Sequence, residues 1–287
     1  MVLRAGDLIL CSGTLPRRVT FSDRLEAAAS AGFAGISMWG RDYASARSEG
    51  HTDADISSML DDRGLAVAEL DPAWWWLPGA LESGTAIPTK YDEQQVFGFS
   101  EREMFRIAEV VGARSLNAVD VFGGSWGTDD AAEAFAVLCD RAAEHGLLVH
   151  LEFLPWSRVP DATTAWNIAE RAGRPNGGIA VDAWHFARSG GNLDELAVLP
   201  PESVLSIQLD DGPADSEPDL LTATLHDRYL PGEGAFDLVS LCRVLAGSKA
   251  PIGVEVFSDA LHALGSLEAA QRAADATRAV LANVNRR

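Results

Sequence analysis

Four polar residues stand at or near the ends of short aliphatic runs in this sequence, and all four carry oxygen donors. They are Glu152, Asp182, Gln208 and Glu255. Inside a buried apolar strand a carboxylate costs several kcal/mol unless a cation or hydrogen bonds compensate it. A single strand-end acid is as often a helix N-cap, but four such residues on four strands indicate one shared compensator. Because three carboxylates and an amide suit Mn²⁺, Mg²⁺ or Co²⁺ better than a structural zinc, the pattern predicts one divalent metal ion.

These residues need a scaffold that gathers strand ends, and the chain offers eight apolar segments alternating with helical periodicity. Strands are predicted at Leu8–Cys11, Gly35–Trp39, Ala66–Leu70, Leu116–Val121, Leu148–Phe153, Ile179–Asp182, Val204–Leu209 and Ile252–Phe257. Continuous apolar strands are typical of a parallel sheet buried on both faces. Eight units in 287 residues give about 36 residues each. We therefore predict an α/β fold, a (β/α)8 TIM barrel that forms a single domain over residues 1–287.

Helical periodicity between the strands completes the prediction. Helices are predicted at Ser22–Ala31, Asp53–Arg63, Glu101–Val111, Asp130–His145, Ala162–Ala172, Leu193–Leu196, Phe236–Leu245 and Ser266–Asn283. The long segments Pro72–Ser100 and Asp210–Gly234 are predicted to be loops. The rival fold is an open doubly wound sheet, which usually has a glycine-rich turn after its first strand. Residues 11–16 do not match that pattern. In a barrel, function is expected in the loops that follow the strands.

Composition excludes several classes of function. The formal net charge of −19 opposes nucleic-acid binding, in which neutralised phosphates supply most of the affinity, and disfavours an anionic membrane surface. No apolar run is long enough for a signal peptide or a membrane span, so we expect a cytoplasmic protein. Three widely spaced cysteines, Cys11, Cys139 and Cys242, are expected to be reduced core thiols. The two lysines, Lys90 and Lys249, lie outside the predicted strands, which argues against imine catalysis.

Five segments in the second half of the chain form an ordered pattern. They are Leu151-Glu152-Phe153, Val181-Asp182-Ala183-Trp184-His185, Ile207-Gln208-Leu209-Asp210, Arg228-Tyr229-Leu230-Pro231-Gly232-Glu233-Gly234 and Gly253-Val254-Glu255. In these segments the sequence resembles the xylose-isomerase-like superfamily of sugar isomerases and epimerases, and in particular its ketose 3-epimerases. Any one segment alone would be weak, but their order together is fairly specific.

The resemblance implies roles for individual residues. The four strand-end positions would bind one divalent metal, and Glu152 and Glu255 would also exchange protons with the substrate. His185 and Arg228 would contact substrate oxygens. One position departs from the pattern, because Gln208 stands where the epimerases usually have histidine. An amide oxygen can replace imidazole for a hard cation, but the change could also mark a different reaction, or a contact through water.

The predicted function is that of a metal-dependent isomerase or epimerase acting on a non-phosphorylated ketose or related hydroxy-ketone. The metal would polarise the carbonyl and stabilise an enediolate, while Glu152 and Glu255 act as base and acid. The same first step serves a dehydratase or lyase of the cyclitol, dehydroshikimate or keto-glycoside type, which stays open as the alternative. A metal-dependent nuclease is rejected because the chain has six histidines and a net charge of −19. A binding subunit without chemistry is disfavoured by the paired glutamates.

Seven of the eight tryptophans fall at or just after predicted strand ends. Five are predicted to contact the substrate as an aromatic wall above the metal: Trp39, Trp75, Trp126, Trp156 and Trp184. Packing within loops is the alternative explanation. The expected partner is therefore a small carbohydrate-like molecule, with neither nucleic acid nor membrane involved. Superfamily members are often dimers or tetramers, so a homo-oligomer is a candidate, although the sequence shows no interface.

Overall fold

The computed structural model describes residues 2–80, 96–121 and 125–284. Eight parallel strands form a closed barrel in sequence order, with the last strand hydrogen-bonded to the first. The strands are β1 (Leu8–Leu10), β2 (Gly35–Trp39), β3 (Ala66–Ala73), β4 (Ser115–Ala118), β5 (Leu148–Glu152), β6 (Gly177–Asp182), β7 (Val204–Leu209) and β8 (Ile252–Val254). The predicted (β/α)8 barrel is confirmed.

Twelve α-helices lie within the described residues and surround the barrel or cover its rim. They are α1 (Phe21–Ser30), α2 (Gly40–Ser48), α3 (Asp53–Asp62), α4 (Glu101–Val111), α5 (Thr128–Glu144), α6 (Ala162–Ala172), α7 (Ala183–Arg188), α8 (Leu193–Ala197), α9 (Leu220–His226), α10 (Leu238–Val244), α11 (Asp259–His262) and α12 (Ser266–Val284). Four of them, α2, α7, α9 and α11, were not predicted. Each is short, so its periodicity is too brief to stand out from loop sequence.

Three strand boundaries differ from the prediction in a way that affects the site. Strand β8 ends at Val254 instead of Phe257, so Glu255 follows the strand. Strand β3 continues to Ala73 because Ala73 pairs with Ala118 and Asp71 pairs with Trp39. The extension carries Asp71 to the rim of the barrel. Strand β4 ends at Ala118 instead of Val121, although the Val119 amide still donates to the Ala73 carbonyl at 2.9 Å.

The strand register places the predicted ligands near one another at the carboxyl end of the barrel. Gln208 on β7 pairs with Asp182 on β6 and with Gly253 on β8. A Cβ at Gly253 would lie 2.8 Å from Cys11 Sγ and 3.2 Å from Gln208 Cγ. Glycine at this position therefore leaves room for the Gln208 side chain inside the barrel.

Other sequence-based expectations can be compared with the described residues. All three cysteines are free and buried, as expected for core thiols. In the described ranges, no helix combines the length and the apolar character that crossing a membrane requires. Lys90 and most of the predicted loop Pro72–Ser100 lie outside the described residues. Helix α9 lies within the segment Asp210–Gly234, which was predicted to be a loop.

Candidate metal centre and active-site cavity

A cavity of about 170 Å³ opens at the carboxyl ends of the strands, where active sites of such barrels lie. Five polar or charged side chains form its floor: Asp71, Glu152, His185, Arg228 and Glu255. Its walls are apolar and include Trp39, Phe97, Val119, Leu154, Trp156 and Phe257. The floor therefore brings together both predicted catalytic glutamates and both residues expected to contact substrate oxygens.

Three of the floor and barrel side chains form a cluster with the dimensions of a metal site. Donor atoms of Glu152, Asp182 and His185 all lie within 4.8 Å of one another. The His185 Nε2 atom is 3.5 Å from Glu152 Oε1. Burial lowers the pKa of His185 to about 4, so its imidazole is neutral at pH 7 and can act as a ligand. The cluster supplies one nitrogen and two carboxylate donors.

Helix α7 explains why His185 lies so close to the strand-end acids. Asp182 is the N-cap of this helix, and its Oδ1 atom accepts the backbone N–H of His185 at 2.9 Å. The first turn therefore folds the histidine back over the barrel rim. The resemblance implied that His185 contacts substrate oxygens, and the structure places it in the cavity floor and also in the cluster of possible metal ligands.

Gln208 has a buried amide oxygen available for a ligand. Its Nε2 atom donates to Glu69 Oε1 at 2.9 Å, while its Oε1 atom is buried without a hydrogen-bond partner among the described residues. Glu69 also accepts from Ser206 at 2.9 Å and lies 3.2 Å from His150 Nε2. Burial acts to raise the pKa of Glu69, but these hydrogen bonds and the charge of His150 outweigh it and lower the pKa. An ionised Glu69 thus holds the Gln208 nitrogen and leaves the oxygen available to a ligand.

Arg228 lies at the centre of a buried ionic network. Its Nη1 atom is 2.6 Å from Asp210 Oδ2, 2.9 Å from Asp182 Oδ2 and 3.5 Å from Glu255 Oε2. Its Nε atom donates to the Thr224 carbonyl at 3.0 Å, which ties the side chain to α9. Burial opposes the charged form, but the three carboxylates raise the pKa of Arg228. The guanidinium therefore orients these acids while it also lines the cavity.

The two predicted catalytic glutamates approach the cavity from different strands. Glu152 ends β5, and Glu255 directly follows β8. Burial raises the pKa of Glu152, reinforced by the charges of Asp71 and Asp182. Burial likewise raises the pKa of Glu255, although Arg228 opposes the increase. A carboxyl group whose pKa is raised holds a proton more readily than a free carboxyl group, which suits both glutamates to proton transfer.

The residues present fit a divalent cation. Burial and the charges of neighbouring carboxylates raise the pKa of Asp210 and those of the two glutamates, and Arg228 offsets these increases only in part. The unpartnered Gln208 amide oxygen and the unpartnered His185 Nδ1 atom are further buried polar groups in this region. A divalent ion beside Glu152, Asp182, Gln208 and Glu255 would supply the missing positive charge.

The structure adds Asn117, which sequence reasoning did not assign to the site, and connects it to Asp71, for which the end of the third strand had suggested either a hydroxyl contact or solvation. Asn117 Nδ2 donates to Glu152 Oε2 at 2.6 Å and to Asp71 Oδ1 at 3.0 Å. The Asp71 Oδ2 atom accepts from Trp39 Nε1 at 2.9 Å. Burial, followed by the charge of Glu69, raises the pKa of Asp71 to about 7. In the sequence, Asn117 could have been noticed only as a single amide side chain between the apolar residues Leu116 and Ala118.

Two of the five predicted substrate-binding tryptophans line the cavity. Trp39 stacks on Phe257 with ring centroids 6.0 Å apart, and its indole nitrogen orients Asp71. Trp156 meets His185 edge-on with centroids 5.4 Å apart. Trp156 is 39% exposed, so its ring faces both the cavity mouth and solvent.

The other three tryptophans do not line this cavity as the described residues form it. Trp75 donates to Glu101 at 2.8 Å, on the side of α4. Trp126 is buried under the guanidinium of Arg158, 5.0 Å from its ring centroid. Trp184 is fully buried, donates to Thr224 at 2.8 Å and contacts Arg188. Because Trp184 has no exposed surface, its position is that of a packing residue.

Comparisons with known proteins agree with this geometry. The chain is 29% identical over 273 residues to a 3-dehydroshikimate dehydratase of Pseudomonas aeruginosa, which covers 91% of this chain and 39% of that protein. It is 31% identical over 144 residues to an inosose isomerase of Halalkalibacterium halodurans, which covers 49% and 50% of the two chains. The chain thus spans about two-fifths of the length of the dehydratase that it matches.

A solved structure shows the same fold, and a family sequence model shows the family. A crystal structure of the IolI protein with a bound zinc atom superimposes with a TM-score of 0.81 at 20% identity, covering 97% of this chain and 99% of the other. Residues 25–282 match the sequence model of one family. With this match and the closed eight-stranded barrel, the chain belongs to the Xylose isomerase-like TIM barrel family.

Proposed function

We propose that this protein is a divalent-metal-dependent isomerase or epimerase of a non-phosphorylated ketose or related hydroxy-ketone. The observation that carries the proposal is the placement of Glu152 and Glu255, which line one cavity from separate strands beside a cluster of metal-binding groups. Two carboxyl groups that reach one substrate from different directions can remove a proton at one position and return it at another. A protein that only binds a ligand needs no such pair.

The chain's own residues divide the proton chemistry. Glu152, in its ionised form, removes the proton from the carbon next to the ketone. Glu255, which lies 3.5 Å from the Arg228 guanidinium, returns a proton to the substrate from its own side of the cavity. Asn117 holds the second oxygen of Glu152 at 2.6 Å and so orients the first toward the cavity. A divalent ion, when bound, supplies positive charge for the ketone oxygen as the proton leaves.

Two features support a non-phosphorylated substrate and a metal of the Mn²⁺, Mg²⁺ or Co²⁺ class, and a third also admits zinc. Arg228 is the cation of the described cavity lining, and carboxylates already occupy its Nη1 atom. The predicted ligands offer carboxylate and amide oxygens, which suit hard cations. The nearby His185 nitrogen would also suit zinc, which the related IolI structure contains.

A dehydratase or lyase is the second candidate, favoured by the similarity that extends over 91% of this chain to a 3-dehydroshikimate dehydratase. The first step is the same, since Glu152 removes the proton next to the ketone. The reactions diverge when a group on the neighbouring carbon leaves. In that case Glu255 protonates the leaving oxygen, which departs as water or an alcohol while a carbon–carbon double bond forms.

Solvent exchange distinguishes these reactions. Metal-loaded protein is incubated in deuterated water with a panel of free ketoses, inososes, 3-dehydroshikimate and keto-glycosides, and the products are examined by mass spectrometry and NMR. Deuterium beside the ketone without loss of water supports isomerisation or epimerisation. A new double bond supports elimination. Glu152→Gln and Glu255→Gln should lose at least about 100-fold in rate, whereas the exposed control Glu268→Gln should not. Exchange that survives both active-site substitutions would overturn the proposal.

A further inference from the structure

We propose that the substrate is an uncharged polyhydroxy ketone that carries an apolar group, an inference that rests on the proposed function. It specifies the substrate class of the same cavity. Two features of the cavity support this substrate class. The cavity has a polar floor and an apolar upper wall, and the side chains of the floor are mostly acidic.

The apolar wall is a hydrophobic cluster of its own, separate from the main core. The main core fills the barrel and the space beneath its helices, whereas the second cluster surrounds the cavity mouth. Six of its buried members line the cavity: Trp39, Val96, Phe97, Val119, Leu154 and Phe257. A free hexose presents hydroxyl groups on most of its surface and would leave this wall without a matching apolar partner. A substrate with an apolar group would cover it.

Apart from the proposed metal ion, the described side chains of the floor offer little positive charge to an anionic substrate. Among the described residues that line the cavity, Arg228 is the one arginine, and Asp182, Asp210 and Glu255 surround it. Asp71 and Glu152 add further carboxyl groups to the lining. A substrate carboxylate would have to leave water and lie near these acids, which is unfavourable.

The arginines near the cavity mouth have other contacts. Arg41 lies over the ring of Trp39 at 4.5 Å and 3.9 Å from Asp42. Arg158 donates from Nη2 to the Trp126 carbonyl at 2.8 Å. Neither is part of the described cavity lining. The apolar wall and the acidic floor therefore both disfavour 3-dehydroshikimate, whose ring carries a carboxylate.

The size and opening of the cavity indicate how the substrate lies. A volume of about 170 Å³ is below the several hundred Å³ typical of pockets for drug-sized ligands, so the floor takes one ring. The apolar group then points toward the mouth, where Trp156 is 39% exposed and meets His185 edge-on. Trp156 is thus the side chain best placed to cover that group.

Three probes test the inference with metal-loaded full-length protein: phenyl 3-keto-glucoside, methyl 3-keto-glucoside and 3-dehydroshikimate. The readouts are kcat/KM for deuterium exchange or elimination and the dissociation constant of each probe. We expect kcat/KM for the phenyl glucoside to exceed that for the methyl glucoside by at least tenfold. We expect kcat/KM for both neutral probes to exceed that for 3-dehydroshikimate by at least tenfold. Equal values for phenyl and methyl, or a preference for the carboxylate, would overturn the substrate class while leaving the proposed proton chemistry intact.

A matched pair of tryptophan variants tests whether Trp156 is responsible for the preference for the phenyl glucoside. Trp156→Ala should reduce the phenyl-to-methyl ratio about tenfold, because the apolar group loses its cover. Trp166→Ala, in α6 away from the cavity, should keep the ratio. Circular dichroism checks that both variants fold. If Trp156→Ala folds and keeps the wild-type ratio, the placement of the apolar group is wrong. Failure of all three probes to react, together with no binding of either neutral probe, would count against both the substrate class and the proposed function.

Discussion

The Gln208 amide is held in one orientation by Glu69, because its Nε2 atom donates to Glu69 Oε1 at 2.9 Å. The Gln208 oxygen is consequently left buried, and no group in the described part of the chain hydrogen-bonds to it. An unsatisfied buried acceptor is costly, and a hard cation would satisfy it. Glu69 thereby determines which end of the amide faces the site, although Glu69 itself is not one of the predicted ligands.

Glu69→Gln should weaken metal binding without removing a ligand. The substitution takes away the negative charge that holds the Gln208 nitrogen, so the amide is no longer fixed in one orientation. Loss of a group that orients a ligand typically lowers affinity about 10–100-fold. Titration calorimetry of metal-free protein with Mn²⁺ measures this directly. The control is Glu103→Gln, because Glu103 is exposed and only caps the start of α4 by accepting the Ser100 backbone N–H. Wild-type metal affinity in Glu69→Gln would refute the orienting role of Glu69.

Glu152→Gln should stabilise the metal-free protein and abolish its stabilisation by metal. Burial and two neighbouring acids raise the pKa of Glu152, so its ionised form is unfavourable when no cation is bound. In the wild type, metal at 100 times its dissociation constant adds about 2.7 kcal/mol to the free energy of unfolding. Urea unfolding with and without Mn²⁺ should show that increment in wild type and in Glu268→Gln but not in Glu152→Gln. An equal increment in all three would exclude Glu152 as a ligand.

Asp71 should make the metal-free protein less stable as the pH rises. Burial and the charge of Glu69 raise its folded-state pKa to about 7, above the value of about 3.9 in an unfolded chain. The folded state therefore holds a proton that the unfolded state has lost. This stabilising contribution is fully present below about pH 4 and is lost as the pH rises through about 7.

The Asp71 contribution can be isolated by comparing variants across that pH range. At about 1.4 kcal/mol per pH unit over about three units, it amounts to at most about 4 kcal/mol. Asp71→Asn should remove this part of the decline in unfolding free energy between pH 4 and 7, while Asp61→Asn, exposed on α3, should retain it. Chemical unfolding at several pH values checks the difference. Parallel profiles for wild type and Asp71→Asn would contradict the assignment.

Substitution of Trp184 should mainly affect folding stability, whereas substitution of Trp156 should mainly affect substrate binding. Trp184 is fully buried and donates to Thr224, so Trp184→Ala should lower the free energy of unfolding by about 3–5 kcal/mol. Trp156 is 39% exposed at the cavity mouth, so Trp156→Ala should cost less than about 1 kcal/mol and raise KM instead. Thermal unfolding and steady-state kinetics on the same preparations test both parts. The reverse pattern would show that the two side chains have been assigned the wrong roles.

The sequence predicted the barrel because that prediction depends on repeated local patterns. Eight apolar runs between helical segments indicate a closed parallel sheet without knowledge of any single contact. The strand-end acids could also be predicted, since Glu152 and Asp182 interrupt aliphatic runs where a charge would otherwise be unfavourable. Residues at strand ends meet at one end of a barrel whatever their separation along the chain.

The sequence could not supply the contacts between individual side chains on different strands. Asn117 donates to Glu152 across 35 sequence positions, and Gln208 donates to Glu69 across 139. No periodicity encodes such pairs. The direction of the Trp184 side chain could not be predicted either, because its position after a strand suggested that it lines the cavity. The short helix α7 turns it instead toward Arg188.

Anomalous diffraction from crystals of the protein soaked in Mn²⁺ would test the central claim most directly. The account predicts one peak at the carboxyl end of the barrel, bound by Glu152, Asp182, Glu255 and the Gln208 Oε1 atom at about 2.0–2.4 Å. An ion bound elsewhere would contradict it. So would an ion held by Glu152, Asp182 and His185 with the Gln208 oxygen facing away.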